Sequence, residues 1–157
     1  MIIHALLAFS LSFGIGLKRE SPISAYDGVY VIRFSSGLAG FEGGYSYHQT
    51  GYEGDLKGHR TDLWGSAGLY LSPGYLYLYP HIGFGRYLIE PVESESYEPI
   101  GGTFGKLGLS AEWDIPKTNM GIFGCADINK LFGDPKPFDD LTWSVSGGVI
   151  FRAVNLR

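Results

Sequence analysis

Only one cysteine, Cys125, occurs in 157 residues, so the chain can form no internal disulfide and no cysteine-based metal cluster; a lone buried thiol is the expected state. Charge is also scarce, at 18% Asp, Glu, Lys and Arg against 15% aromatic residues, which leaves little material for a water-facing surface. No Lys/Arg cluster interrupts a net charge of −4, and a nucleic-acid surface is thereby excluded, because counterion release needs a basic patch. Long apolar runs are missing too. No stretch approaches the roughly 18 uninterrupted apolar residues of a membrane helix, and mean hydropathy is close to zero.

What the chain has is alternation. From Leu7 to Leu17 every odd position is a large apolar residue and every even one is Ala, Ser or Gly, a period of two that gives a strand one greasy and one small or polar face. Similar runs recur over residues 25–35, 38–48, 60–71, 75–86, 102–115, 120–129 and 141–151, so with residues 6–17 the count is eight strands. Pro80 removes a ladder donor from the fifth and marks a bulge or a locally unpaired edge. In the seventh, Ile122 and Phe123 compete for the apolar face.

Residues 2–16 with Ser24-Ala25 also admit reading as a signal peptide. The strand reading is preferred, because no Lys or Arg precedes the apolar run and Lys18 and Arg19 follow it. Cleavage after residue 25 would leave an odd number of strands. Connections alternate between long (18–24, 49–59, 87–101, 130–140) and short (35–37, 72–74, 116–119), the pattern of short periplasmic turns and longer outside loops. With eight strands both termini are expected on the periplasmic side.

The greasy face is expected to point outward. An eight-stranded barrel has an interior just wide enough to be filled by side chains, and the apolar faces of strands 1, 5 and 8 would overfill it. A soluble calycin-like barrel would instead coat its outside with Lys and Glu, and here the other face carries few charges. The expected fold is therefore an all-β, transmembrane, eight-stranded antiparallel up-and-down barrel forming one domain over residues 1–157. Phe9, Tyr26, Phe34, Tyr47, Trp113, Trp143 and Phe151 fall near strand ends, where amphipathic rings form interfacial girdles.

On these features the chain resembles the small outer-membrane barrels of the OmpA transmembrane-domain, OmpX and Opacity-protein type. The resemblance spans the whole chain and rests on architecture. Such barrels end in a strand carrying an insertion signal for the barrel assembly machinery, and Gly148-Val149-Ile150-Phe151 fits its glycine-x-x-aromatic part, although Ala153 stands where a second aromatic is usual. The resemblance implies an outer-membrane location, membrane lipids including lipopolysaccharide as partners, and no cofactor.

Several inward positions are ionisable: Arg33, Glu42, His81, Lys106, Glu112, Asp127 and Arg152. In a narrow lumen such charges must pair. A lower cluster of Arg33, Glu42 and Glu112 and an upper pair of Lys106 and Asp127 are predicted, closing the lumen with salt bridges or lining a narrow gated path. The third long connection carries Glu90, Glu93, Glu95 and Glu98, either a solvated acidic loop or a face for cations or a cationic partner. Tyr52, Phe132 and Phe138 are candidate adhesive anchors toward a surface ligand or host partner.

Catalysis remains the competing class. Some barrels of this size modify lipid A or phospholipid with a Ser/His/acid set. His48 with Thr50 and His59 with Thr61 echo a His-x-Ser pair faintly, and Asp62 could orient a rim histidine. The reading favoured by the sequence is a non-enzymatic surface barrel acting through structure or adhesion, with a lipid-modifying enzyme or a narrow channel as alternatives.

Overall fold

The computed structural model describes residues 9–21, 26–51, 57–72, 74–91, 98–133 and 141–156. Eight strands follow one another: β1 (Phe9–Glu20), β2 (Tyr26–Ser36), β3 (Ala39–Gly51), β4 (Lys57–Leu69), β5 (Leu76–Pro91), β6 (Ile100–Asp114), β7 (Met120–Phe132) and β8 (Leu141–Leu156). Each pairs antiparallel with its sequence neighbours, and β8 returns to β1, so the sheet closes without an edge. Following paired residues around the wall from Ser10 leads through Ser35, Gly40, Gly68, His81, Gly108, Asp127 and Ser144 to Glu20. The path rejoins β1 ten residues further on, which is the stagger of strongly tilted strands.

Alternation assigns the faces. In β7 every second residue is buried without interruption from Met120 to Phe132, and this settles the competition at its start: Phe123 points inward at 5% exposure, Ile122 outward at 56%. Phe123 wins the lumen because its parity is that of Cys125, Asp127 and Asn129, and its ring lies 5.4 Å from the Arg33 guanidinium. The outer wall carries Ile15, Ile32, Leu63, Ile82, Leu107 and Trp143, all exposed. Among the described residues no helix is long and apolar enough to cross a membrane; the strands carry the apolar belt.

Pro80 pairs with Leu109 of β6, but toward β4 the ladder stops at Gly68–His81 and resumes only as the isolated Leu71–Leu78 bridge. The missing donor therefore sits in a local gap. On the other side of β4 the Tyr70 amide donates to the Leu38 carbonyl just before β3, at 2.8 Å. Leu71, expected inside the fourth strand, lies beyond its end.

Strand limits differ from expectation mainly at the long-connection end. Strand β1 runs to Glu20, β3 to Gly51, β5 to Pro91 and β7 to Phe132, while β4 starts at Lys57 and β6 at Ile100, so the connections are shorter than predicted. At up to 16 residues the strands exceed the roughly 9–11 needed to cross an apolar layer, and polar residues in these extensions hid them from the alternation pattern. Glu90, assigned to an acidic loop, belongs to β5 and is exposed near its end. Residues 1–8, which include the start of the predicted first strand, lie outside the described residues.

Candidate functional site

The barrel interior is the most organised chemistry in the molecule. Its buried cations are Lys18, Arg33, Arg60, Lys106 and Arg152, facing the buried carboxylates of Glu20, Asp27, Glu42, Asp62, Glu112 and Asp127. They form three connected levels.

At the short-turn end, Arg33 is the centre. Its Nε donates to Glu42 Oε2 at 2.6 Å, Nη1 to Glu112 Oε1 at 2.5 Å and Nη2 to Ser110 Oγ at 2.9 Å. Arg152 holds the other Glu112 oxygen at 2.6 Å and Asp114 at 2.7 Å, and Tyr70 donates to Glu112 at 3.0 Å. Tyr70, Tyr77 and Tyr79 pack beside this cluster, Tyr70 and Tyr77 stacked at 5.2 Å. These tyrosines fill the barrel base while their hydroxyls stay hydrogen-bonded.

Midway, Trp64 Nε1 donates to Glu42 Oε1 at 3.0 Å, and the Lys106 ammonium lies 4.5 Å from the Trp64 ring. Lys106 contacts Asp127 at 3.1 Å and Glu42 at 3.6 Å; His81 Nε2 lies 3.0 Å from Asp127. Glu42 thus joins the two predicted groups into one network. The indole needs glycine opposite: a Cβ at Gly44 would come within 2.1 Å of the Trp64 ring.

At the long-loop end stands a cluster absent from the sequence reading. Lys18 contacts Glu20 at 3.0 Å and Asp62 at 3.1 Å; Arg60 contacts the same two carboxylates at 3.2 and 2.8 Å. Thr142 donates to Glu20 at 2.8 Å. Lys18 and Glu20 lay past the predicted end of the first strand. The signal for them was available in the parity of Lys18 and Glu20, which continues that of Ser12 and Gly14.

Free space at the centre of the barrel amounts to about 10 Å³ for the centre of a water molecule, room for about one water, between Trp64, Phe104, Phe123 and the surrounding charges. Val29, Val31, Ile89, Leu131 and Ile150 complete an apolar lining that the small-residue pattern of the inward face did not suggest.

Tyr47, Trp113, Trp143 and Phe151 lie exposed on the outer wall, and Phe34 is half-buried; the side chains of Phe9 and Tyr26 lie outside the described residues. Tyr47 and Trp143 stand toward the long-loop end, Trp113 and Phe151 toward the short turns. His59 stacks on the Tyr47 ring at 5.1 Å, whereas Asp62 is wholly buried in the lumen on Arg60 and Lys18, so Asp62 does not orient His59. The side chains of His48 and Thr50 lie outside the described residues, as do Tyr52, Glu93, Glu95 and Phe138; Glu98 is exposed before β6, and Phe132 ends β7 with its ring exposed.

No protein-family model and no curated protein matches the sequence. Solved structures match in shape. Neisserial surface protein A superposes with a TM-score of 0.66 at 9% identity, over 92% of this chain and 95% of that one. A major outer membrane protein from Thermus thermophilus gives 0.67 at 12%, over 92% and 98%. The fold is that of the small outer-membrane barrels. Ail, the attachment invasion locus protein of Yersinia pestis, shares it at a TM-score of 0.59 and 19% identity, again over 92% and 98% of the two chains. Identities this low carry the architecture alone, so what a barrel of this fold does here rests on its own residues.

Proposed function

We propose that this chain is an integral barrel of a Gram-negative-type outer membrane, with a structural or adhesive role exercised through its long-loop end. The observation that carries the reading is the inversion of the molecule: exposed Ile, Leu, Phe and Trp outside, paired charges within. Water could not stabilise that exterior, and a bilayer can. On this reading the short turns and both termini face the periplasm, and Tyr47 and Trp143 meet the outer-leaflet headgroups, lipopolysaccharide included. The barrel assembly machinery would insert it through the β8 segment ending at Phe151.

Salt bridges that cross the lumen, Arg33 to Glu112 and Lys18 to Asp62, favour structure or adhesion over transport. Asp62, held by two cations on the lumen side, counts against the His59 version of a lipid-modifying site. Ail, of the same fold, has been solved in complex with the heparin analogue sucrose octasulfate, which supports a ligand-facing role for a barrel of this size. The test has two parts. Refolding into detergent should give a β-rich circular dichroism spectrum and a gel mobility that changes on boiling; a detergent-independent soluble protein would overturn the membrane reading. In cells, replacing loop residues 92–97 should alter surface binding while the lipid A mass spectrum stays unchanged. A lipid A mass change that depends on a rim histidine would establish the enzyme instead.

A further inference from the structure

We propose that His81, Cys125 and Asp127 form a site for one divalent d-block cation of the zinc type inside the barrel. The three side chains come from β5 and β7, and a ring nitrogen, Sγ and a carboxylate oxygen all lie within 4.8 Å of one another, on three buried residues. Asp127 Oδ1 is 3.0 Å from His81 Nε2 and 3.3 Å from Cys125 Sγ. Tetrahedral zinc with nitrogen, oxygen and sulfur ligands sets such atoms roughly 3.3–3.6 Å apart, so small side-chain adjustments suffice.

The histidine is already oriented as a ligand. Its Nδ1 lies 2.9 Å from the Tyr79 carbonyl oxygen, which only accepts, so Nδ1 carries a proton and donates it there. A metal-binding histidine is commonly fixed this way through its other nitrogen. Nε2, on the far side of the ring, faces the Asp127 carboxylate at 3.0 Å, a contact that either a proton on Nε2 or a cation between the two atoms would mediate. The row is also cleared for the contact. His81 and Asp127 both pair with Gly108, and a Cβ at Gly108 would fall 1.9 Å from Asp127 Oδ1 and 2.8 Å from His81 Nε2.

Charge and space agree. Buried carboxylates already outnumber buried cations among the described residues, with Asp114 a further anion at the edge. Lys106 holds the second oxygen of Asp127 and leaves the first to a metal. A dication, the Cys125 thiolate formed by proton release on binding and the Asp127 carboxylate together sum to zero. The space of about 10 Å³ touches Cys125 and Asp127 though not His81, and has room for one water as a fourth ligand on their side of the site. Because the lumen is closed, the ion is taken up as the barrel folds.

The test is refolding into detergent with Zn²⁺ or Co²⁺, removal of loosely held metal with a chelator, and elemental analysis of the folded fraction selected by its gel mobility. About one metal per chain is expected, and the cobalt form should show a thiolate-to-cobalt charge-transfer band. Cys125→Ser, which keeps the size of the side chain, should abolish that band, and His81→Gln should lower retained metal at least tenfold. No retained metal in the wild-type barrel, or equal retention by the folded Cys125→Ser and His81→Gln variants, overturns the site. Only the closed barrel is required, so either result leaves the proposed surface role standing.

Discussion

Arg33 and Glu42 face each other across β2 and β3, with Nε 2.6 Å from Oε2 and both side chains almost wholly buried. Through its remaining nitrogens Arg33 also reaches Ser110 and Glu112 on β6, so one guanidinium ties together three strands. A planar fork does this; an ammonium does not.

Arg33→Met strands the Glu42 and Glu112 oxygens in a dry interior, and unfolding in urea from detergent micelles should show a loss of about 3–5 kcal/mol. Adding Glu42→Gln and Glu112→Gln to Arg33→Met should restore part of it, because the cost comes from uncompensated charge. A triple variant as unstable as the single one would show that packing dominates instead.

Of the three tryptophans, Trp64 lies in the lumen at 7% exposure while Trp113 and Trp143 face outward at 55% and 52%. In single-tryptophan variants reconstituted with brominated lipids, Trp113 and Trp143 fluorescence should be strongly quenched. Trp64 should keep most of its emission. Equal quenching of all three would contradict the assigned faces.

Ile82 is among the most exposed apolar residues of the wall, at 69%, well away from both ends of β5. Ile82→Arg should cost about 2–4 kcal/mol in a bilayer, as expected for a cation near the midplane. At the long-loop end of the same strand, Glu90→Arg should stay within about 0.5 kcal/mol. Reconstitution into vesicles followed by denaturant titration separates the two.

Gly44→Ala places its methyl group against the Trp64 ring. Overpacking of this kind should cost about 1–3 kcal/mol, and Trp64→Phe in the same chain should recover part of the loss at the expense of the indole bond to Glu42. Thermal unfolding followed by gel mobility would measure both.

With about one water's worth of free space at its centre, the folded protein should give no stepwise conductance in planar bilayers. Regular unitary steps from the wild-type barrel would contradict the plugged lumen.

The sequence revealed the strands because a barrel wall has different solvents on its two sides, and a period of two records that difference residue by residue. It placed Arg33, Glu42, His81, Lys106, Glu112 and Asp127 on the inward face for the same reason. Where the outside partner changes from lipid to water, the contrast fades. Lys18, Glu20 and Arg60 were missed there although they complete the upper cluster. Hydropathy alone could not separate Ile122 from Phe123, since both side chains are apolar; the parity shared with Cys125, Asp127 and Asn129 turns Phe123 inward, where its ring meets Arg33. Among contacts that cross the lumen, Arg33 to Glu112 is anticipated from the height of both residues above the short turns, whereas Lys18 to Asp62 is not, because Lys18 falls outside the predicted strand.

Those crossings bear on how the protein assembles. Arg33 on β2 meets Glu112 on β6, Lys18 on β1 meets Asp62 on β4, and Arg152 on β8 meets Glu112 on β6, none of them neighbouring strands. A sheet of β1 to β4 alone lacks the Glu112 partner of Arg33, which arrives only with β6. Closing the seam between the first and last strands and completing the polar interior are therefore coupled, and a chain stalled before β6 arrives leaves Arg33 without Glu112.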